Sequence, residues 1–595
     1  MRSTVFPTVR ERAQAVKCAL GEVKADLVIR DVSLVNVVTE EVEEGVDVAV
    51  KGRLVAYVGD CSKLIGQGTR VINARGLYAV PGLVDAHVHV ESSMLVPHRF
   101  AKYALMYGVT TIFADPHEIG NVLGKDGIRE FIRDCVKLPL KVFVTVPSCI
   151  PACRLGLETC PTYLSWRDVA ELLDEVNVMA LGEVMDVLSV HDASIDILLE
   201  ISETYNRMLR VCGHAPQLTG PELQAYLCAG PDSDHEVTRP EEAIEKIRRG
   251  MYLMIRLGTF SHDLPRILPS LDKKYLNYVM LVSDDINVLD LERRGYLDRA
   301  IREAIRCGLD PVVAVKLCTL NPARYYGLDW LIGSINPGRL ADIVLVENLE
   351  DFKIRKVIVE GRLVRDETGL LIDIPRHEYP RQFYMSVKLP PELSPDKFEL
   401  HVHDESGKVR ANIIRFVPGT VVTKLEQQTL EAHDGKLVLP RDVYYIAVVE
   451  RHGKTGTMSI GLCTGITVGD CALAVSICHD SHNIVVVGRD GQSMYTAVTR
   501  LQEIGGGLTL ARGREILAQV ELPVAGLMSD QDGAEVADKL QQLLDKWREH
   551  GGAGALTELA PLMFTSLTVI PEVRLTDRGL VDVRKGKYIP VIEKL

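Results

Sequence analysis

Between Leu77 and about Trp330 short apolar runs alternate with amphipathic stretches, and that rhythm confines this part of the chain to repeated strand–helix units around a parallel sheet. Eight runs can be marked: LVDAHVHV, VTTIFAD, KVFVTVPS, VMALGEVM, MLRVCGHA, LQAYLCAG, YLMIRLG and YVMLVSDD. Eight units in roughly 250 residues is the size of a TIM barrel, so the fold class is α/β with a (β/α)8 barrel. Helix signals fall between the runs: Ser165 precedes WRDVAELLDEV, and Pro240 opens PEEAIEKIRRG, which Gly250 closes. The interval between the fifth and sixth runs is short for a full helix.

The flanks read differently. ADLVIRDVSLVNVV and GVDVAVKGRLVAYVGD, between Ala25 and Asp60, alternate as short strands, and a similar pattern returns in Gly338–Glu347 and Lys356–Val364. The two stretches are expected to pair into a small split β-sandwich domain, residues 1–80 with 332–375, into which the barrel of residues 81–331 is inserted. Residues 376–595 open with PRHEYPRQFYMSVKLPPELSP and continue through strands and turns. They are expected to form a C-terminal α+β domain covering the barrel mouth. Within it Ala534 to His550 is amphipathic and should pack on a sheet. Gly505, Gly506 and Gly507 read as a flexible turn, with an anion cradle as the weaker alternative.

Composition narrows the function. A net charge of -13 lacks the clustered cationic surplus that nucleic-acid binding needs, so a small-molecule partner is expected. No run of about 18 apolar residues exists to span a bilayer, and the start MRSTVFPTVRERAQAVKCAL lacks the apolar stretch of a signal peptide. The 13 cysteines show no Cys-x-x-Cys pair and are expected to be reduced, in a cytoplasmic protein. That spacing also argues against the zinc nucleobase deaminases, which need Pro-Cys-x-x-Cys.

Chemistry concentrates at the ends of the runs, where barrel enzymes carry their active sites. His87 and His89 end the first run, Glu183 the fourth, His214 the fifth and Asp284 the eighth, and His235 follows the sixth. On a strand His87 and His89 share a face and can hold one ion together. Four imidazoles and two carboxylates exceed what one catalytic ion needs, so two ions are implied, with Glu183 the natural bridge. His117 and Glu118 end the second run and either face the same mouth or merely open a helix before Gly120. His479, Asp480, Ser481 and His482 lie between CALAVSI and IVVVG, as a tight loop or as one that closes the pocket.

These motifs carry a resemblance. PGLVDAHVH, Asn321-Pro322-Ala323-Arg324 and Gly338-Arg339-Leu340-Ala341-Asp342 resemble the amidohydrolase superfamily. Within it His89-Val90-Glu91-Ser92-Ser93, Asp115-Pro116-His117-Glu118, Gly182-Glu183-Val184-Met185, Ser283-Asp284-Asp285 and His479-Asp480-Ser481-His482-Asn483 resemble the bacterial and archaeal adenine deaminases, over nearly the whole chain. Many two-ion relatives use a carboxylated lysine on the fourth strand; this chain has Glu183 there. The resemblance implies metal-dependent hydrolytic deamination of adenine to hypoxanthine and ammonia, a purine-salvage reaction, with two divalent ions, Mn or Fe, in a homo-oligomer, most simply a dimer. The alternative is another two-ion amidohydrolase acting on a different cyclic amide or amidine. The chemistry asks for hydroxide from a metal-bridging water to attack C6, for Asp284 to move its proton to the leaving amine, and for a donor at a ring nitrogen. Glu91 and Glu118 are the candidates for that donor, and Ser92, His117, His479, Asp480, Ser481 and His482 are candidates for substrate binding.

Overall fold

The computed structural model describes residues 5–153, 156–402, 406–417 and 420–594. The β stretches on either side of the barrel pair into one nine-stranded sheet. Its seam is the antiparallel pair of Tyr78–Pro81 with Ile343–Val346, which brings the start and end of the intervening segment together. One face buries Leu27, Ile29, Val32, Leu34, Val48, Ile343 and Ile358 against each other, as the alternation in these segments requires.

The intervening segment is a parallel barrel in two arcs. Strands Leu83–His89, Val109–Ala114, Lys141–Val146, Val178–Val184 and Arg210–Gly213 pair in order, and Ser233–Asp234, Tyr252–Arg256 and Val279–Val282 form the second arc. The Asp232 amide donates to the Val211 carbonyl at 3.1 Å, joining the arcs. Asp284–Asp285, continuing the eighth strand, pairs with Val88 and His89 of the first and closes the circle. Seven of the runs marked in the sequence are these strands.

The sixth is a correction. LQAYLCAG lies in a helix, Gly220–Ala229, with Pro221 in its first turn and Gly230 at φ 137° ending it. Its buried residues, Leu223 and Tyr226, are three apart, a helical spacing. A short apolar run suits either a strand or a buried helix, and the true sixth strand, Ser233–Asp234, is two polar residues with no periodicity to read. The helix signals elsewhere hold: Ser165 accepts from the Asp168 amide in a capping box, and Pro240 opens Pro240–Arg248.

The C-terminal region is built on a ten-stranded, mostly antiparallel sheet. Helix Gly533–Glu549 is capped by Asp532, whose carboxylate accepts from the Ala534 amide. Its stripe of Val536, Ala537, Leu540, Leu543, Leu544 and Trp547 is buried on strand Glu515–Glu521 and on barrel helix Val288–Arg293. Each such leucine contributes roughly 1.5–3 kcal/mol. The glycine run is a tight, packed turn rather than a flexible one. A Cβ on Gly507 would lie 1.8 Å from the Val520 carbonyl oxygen, and the amides of Gly505, Gly506 and Gly507 already donate to Gln502, Leu501 and Ser476, so none is free for an anion.

Candidate metal centre

Two slips in strand register aim the ligands. Lower in the barrel Val84, Ala86 and Ala180 pack inward with Phe113, Phe143, Cys212, Met254 and Met280. Simple alternation would then send His87, His89 and Glu183 outward. Pairing of the first strand with the second shifts between Asp85 and Val88, and pairing of the fourth with the fifth shifts between Leu181 and Val184. Each slip swaps the faces beyond it, as an irregularity of this kind does, and turns these three side chains into the mouth. Asp284 is re-aimed instead by its backbone, at φ 58°, a left-handed conformation that few residues other than glycine adopt.

The six side chains meet in two clusters that share Glu183. His87 Nε2 and His89 Nε2 lie 3.3 and 3.0 Å from Glu183 Oε1, and each is 3.2 Å from Asp284 Oδ1. His214 Nδ1 and His235 Nε2 lie 2.7 and 3.4 Å from Glu183 Oε2, and 3.2 Å from each other. All six are buried. His87 Nε2 makes no hydrogen bond even though two carboxylate oxygens stand beside it. Imidazole and carboxylate donors gathered this closely fit a cation. Burial alone would push the His87 imidazole down, yet the Asp284 and Glu183 carboxylates hold it up at about 9. Burial opposes charge on Glu183 and Asp284 as well, and the imidazoles still hold both well below the usual carboxylate range. Positive charge is therefore required here, and divalent cations can supply it in place of protons.

Supporting bonds fix these groups. His89 Nδ1 lies 3.1 Å from the Asp115 carbonyl, which leaves Nε2 for the cluster. The His214 amide donates to the Tyr226 hydroxyl at 3.0 Å. Asp234, beside His235, accepts from the Ala215 amide at 2.7 Å and from Lys246 at 2.8 Å. Arg256 donates to Asp284 Oδ2 at 3.1 Å and to Asp263 at 2.9 Å, and it also pairs with Glu236.

A cavity at the mouth is lined by His89, His117, Glu118, Glu183, His214, His235, Arg256, Asp284 and Asp285 from the barrel. Val421, His479, Asp480, Phe564, Leu567 and Ile570 of the C-terminal region close it from above. His117 and Glu118 do open a helix, His117–Cys135, and also face the mouth. The loop carrying His479 to His482 is held firmly. The His479 amide donates to Met563 O at 2.7 Å, His452 Nε2 lies 2.8 Å from Ser481 O, and the buried Arg451 donates to the His482 carbonyl.

Five expected residues do not line the cavity, the metal-ligand candidate His87 and four others. Ser92 donates to Asp285, and Glu91 Oε1 accepts from the Ile119 amide at 3.3 Å. Ser481 turns to Asn483, and His482 lies fully buried against Glu118. Burial and the nearby Glu118 push the Glu91 carboxyl up to about 7. Sequence reasoning missed Arg256 and Asp285, though Arg256 ends the seventh run and the strand-end rule could have found it. The apolar Phe564, Leu567 and Ile570 carry no chemical signal and could not have been found that way.

Among known proteins, the amidohydrolase family profile matches residues 78–364, and the adenine deaminase C-terminal domain profile matches residues 420–587. An adenine deaminase of Staphylothermus marinus is 40% identical, covering 98% of this chain and 98% of that one. One of Ruegeria sp. (strain TM1040) is 40% identical, covering 100% and 99%. One of Thermosipho africanus is 37% identical, covering 97% and 98%.

Proposed function

The chain belongs to the adenine deaminase family of the amidohydrolases and deaminates adenine, and from that premise we propose how its own residues carry the reaction. The observation that bears most weight is Glu183, whose two oxygens face separate imidazole sets. His87, His89, Asp284 and Glu183 would hold one divalent cation, and His214, His235 and Glu183 a second. Mixed imidazole and carboxylate donors suit Mn or Fe, our assignment. When bound, the pair supplies a solvent molecule acidic enough to act as a nucleophile near neutral pH.

Asp284 takes the nucleophile's proton at Oδ2, the oxygen turned from His87 and His89, and delivers it to the departing amino nitrogen. Arg256, 3.1 Å from that oxygen, keeps the carboxylate ionised before the transfer. For the ring-nitrogen proton the geometry favours neither Glu91, which is outside the cavity lining, nor Glu118, whose oxygens face His479 and His482. Asp480 lines the cavity, its Oδ2 is buried without a partner, and burial raises its carboxyl to about 6. We assign the ring proton to Asp480. Phe564, Leu567 and Ile570 offer an apolar roof to a flat purine. We place the reaction in cytoplasmic purine salvage, and the 13 free cysteines are in keeping with a reducing compartment.

The test is a panel of adenine, guanine, dihydroorotate and hydantoin with the Mn-loaded protein, read by ultraviolet spectrum and ammonia release. Adenine should be converted to hypoxanthine well ahead of the others. Preference for another member of the panel would overturn the assignment.

A further inference from the structure

A second buried carboxylate at the barrel mouth also stands between two imidazoles. His479 Nδ1 lies 2.7 Å from Glu118 Oε1, and His482 Nε2 is in contact with Glu118 Oε2. At Glu183 an Nδ1, of His214 at 2.7 Å, and an Nε2, of His235 at 3.4 Å, share one oxygen, Oε2, whereas at Glu118 each imidazole takes its own oxygen. The ligating atoms of Glu118, His479 and His482 all lie within 4.8 Å of one another. The three residues are 2%, 3% and 0% exposed, so bulk solvent cannot satisfy them.

A hydrogen-bonded triad accounts for the His479 side of Glu118 but leaves the His482 side unsatisfied. Glu118 Oε2 and His482 Nε2 touch, yet neither makes a hydrogen bond. The backbone also holds the donors there. His482 sits at φ 54°, its carbonyl accepts from the buried Arg451, and the His479 amide is tied to Met563. A loop fixed from behind cannot swing its imidazoles away to water.

We propose that Glu118, His479 and His482 bind a third divalent transition-metal cation, which fastens the C-terminal region to the barrel mouth. Three protein ligands from imidazole and carboxylate, with a position left for solvent, make an ordinary site for Zn, Fe or Mn and a poor one for Ca or Mg. The site joins the start of a barrel helix to a loop of the distal sheet. It rests on the geometry at Glu118 and does not depend on the reaction assigned above.

The full chain is loaded with Mn2+, freed of excess ion and crystallised, and anomalous maps are recorded at the Mn edge; a second crystal carries Zn2+. A peak among Glu118, His479 and His482, apart from those at Glu183, is the expected result. Metal analysis should give three ions per chain, falling by one in His482→Gln and in His479→Gln. No peak at Glu118 with either ion, or equal metal content in wild type and both variants, would overturn the proposal. The wild-type maps need no variant to fold. A Glu118 peak with none at Glu183 would support this site and overturn the two-ion reading, so the two fail separately.

Discussion

Lys246 is the strongest lever on the second cluster, although it touches no ligand directly. Its side chain is fully buried, and Nζ donates to Ala215 O at 2.6 Å, Glu242 Oε1 at 2.7 Å and Asp234 Oδ2 at 2.8 Å. Ala215 follows His214 and Asp234 precedes His235, so one ammonium sets the spacing of two imidazoles. In Lys246→Met two carboxylates and a carbonyl lose a buried cation, and breaking such a pair costs about 3–5 kcal/mol. Asp234 keeps the Ala215 amide at 2.7 Å and Glu242 keeps the Gln217 amide at 2.9 Å, which puts the cost near the lower end, about 3 kcal/mol. Supporting bonds behind metal ligands are typically worth about 10–100-fold in metal affinity, or about 1.4–2.7 kcal/mol. The expected outcome is faster amide exchange across residues 210–250 and a second ion lost to a chelator at about 10–100-fold lower concentration. Lys125→Met is the control: that lysine pairs with Asp168 at 2.7 Å and Glu171 at 2.9 Å on the surface, where such pairs are worth about 0–1 kcal/mol. Unchanged exchange and unchanged ion affinity in Lys246→Met would refute the reasoning.

Three further outcomes are expected. Arg256→Met removes the cation beside Asp284, so burial should raise that carboxyl and move the acid limb of the kcat profile up by about 1–3 pH units; an unmoved limb contradicts the role given to Arg256. Asp480→Asn should lower kcat by about 10²–10⁴ with little change in KM, and a pure KM effect would make Asp480 a binding group only. Glu158 is held at about 8, chiefly by burial, above its ordinary value of 4.5. The folded state therefore retains a proton that the unfolded state releases, and stability falls as pH rises from about 4.5 to 8. Glu158→Gln should raise Tm relative to wild type at pH 8 and leave it unchanged near pH 4.5, and a pH-independent difference would count against this linkage.

Much of the site was legible because catalytic groups sit at strand ends, and strand ends follow from apolar runs. His87, His89, Glu183, His214 and Asp284 each close a marked run that is a strand. His235 was found although its run was mistaken, because it follows the two-residue strand Ser233–Asp234. What the sequence could not carry is the register slips that turn His87, His89 and Glu183 inward, since these depend on pairing between strands rather than on either strand alone. Long-range packing is equally silent in sequence. Nothing local to Phe564, Leu567 or Ile570 says that they roof a cavity more than two hundred residues upstream. Asp480 and His482 were visible as polar residues between apolar runs, but only the fold shows that one faces the cavity and the other faces Glu118.

The most direct measurement follows adenine with metal-stripped protein, before and after Mn2+ is restored, in wild type and in Glu183→Gln. The account predicts no hypoxanthine or ammonia from stripped protein, conversion by wild type once Mn2+ returns, and none by Glu183→Gln in either state while its circular dichroism stays native. Turnover by the stripped wild type, or by Glu183→Gln, would contradict it.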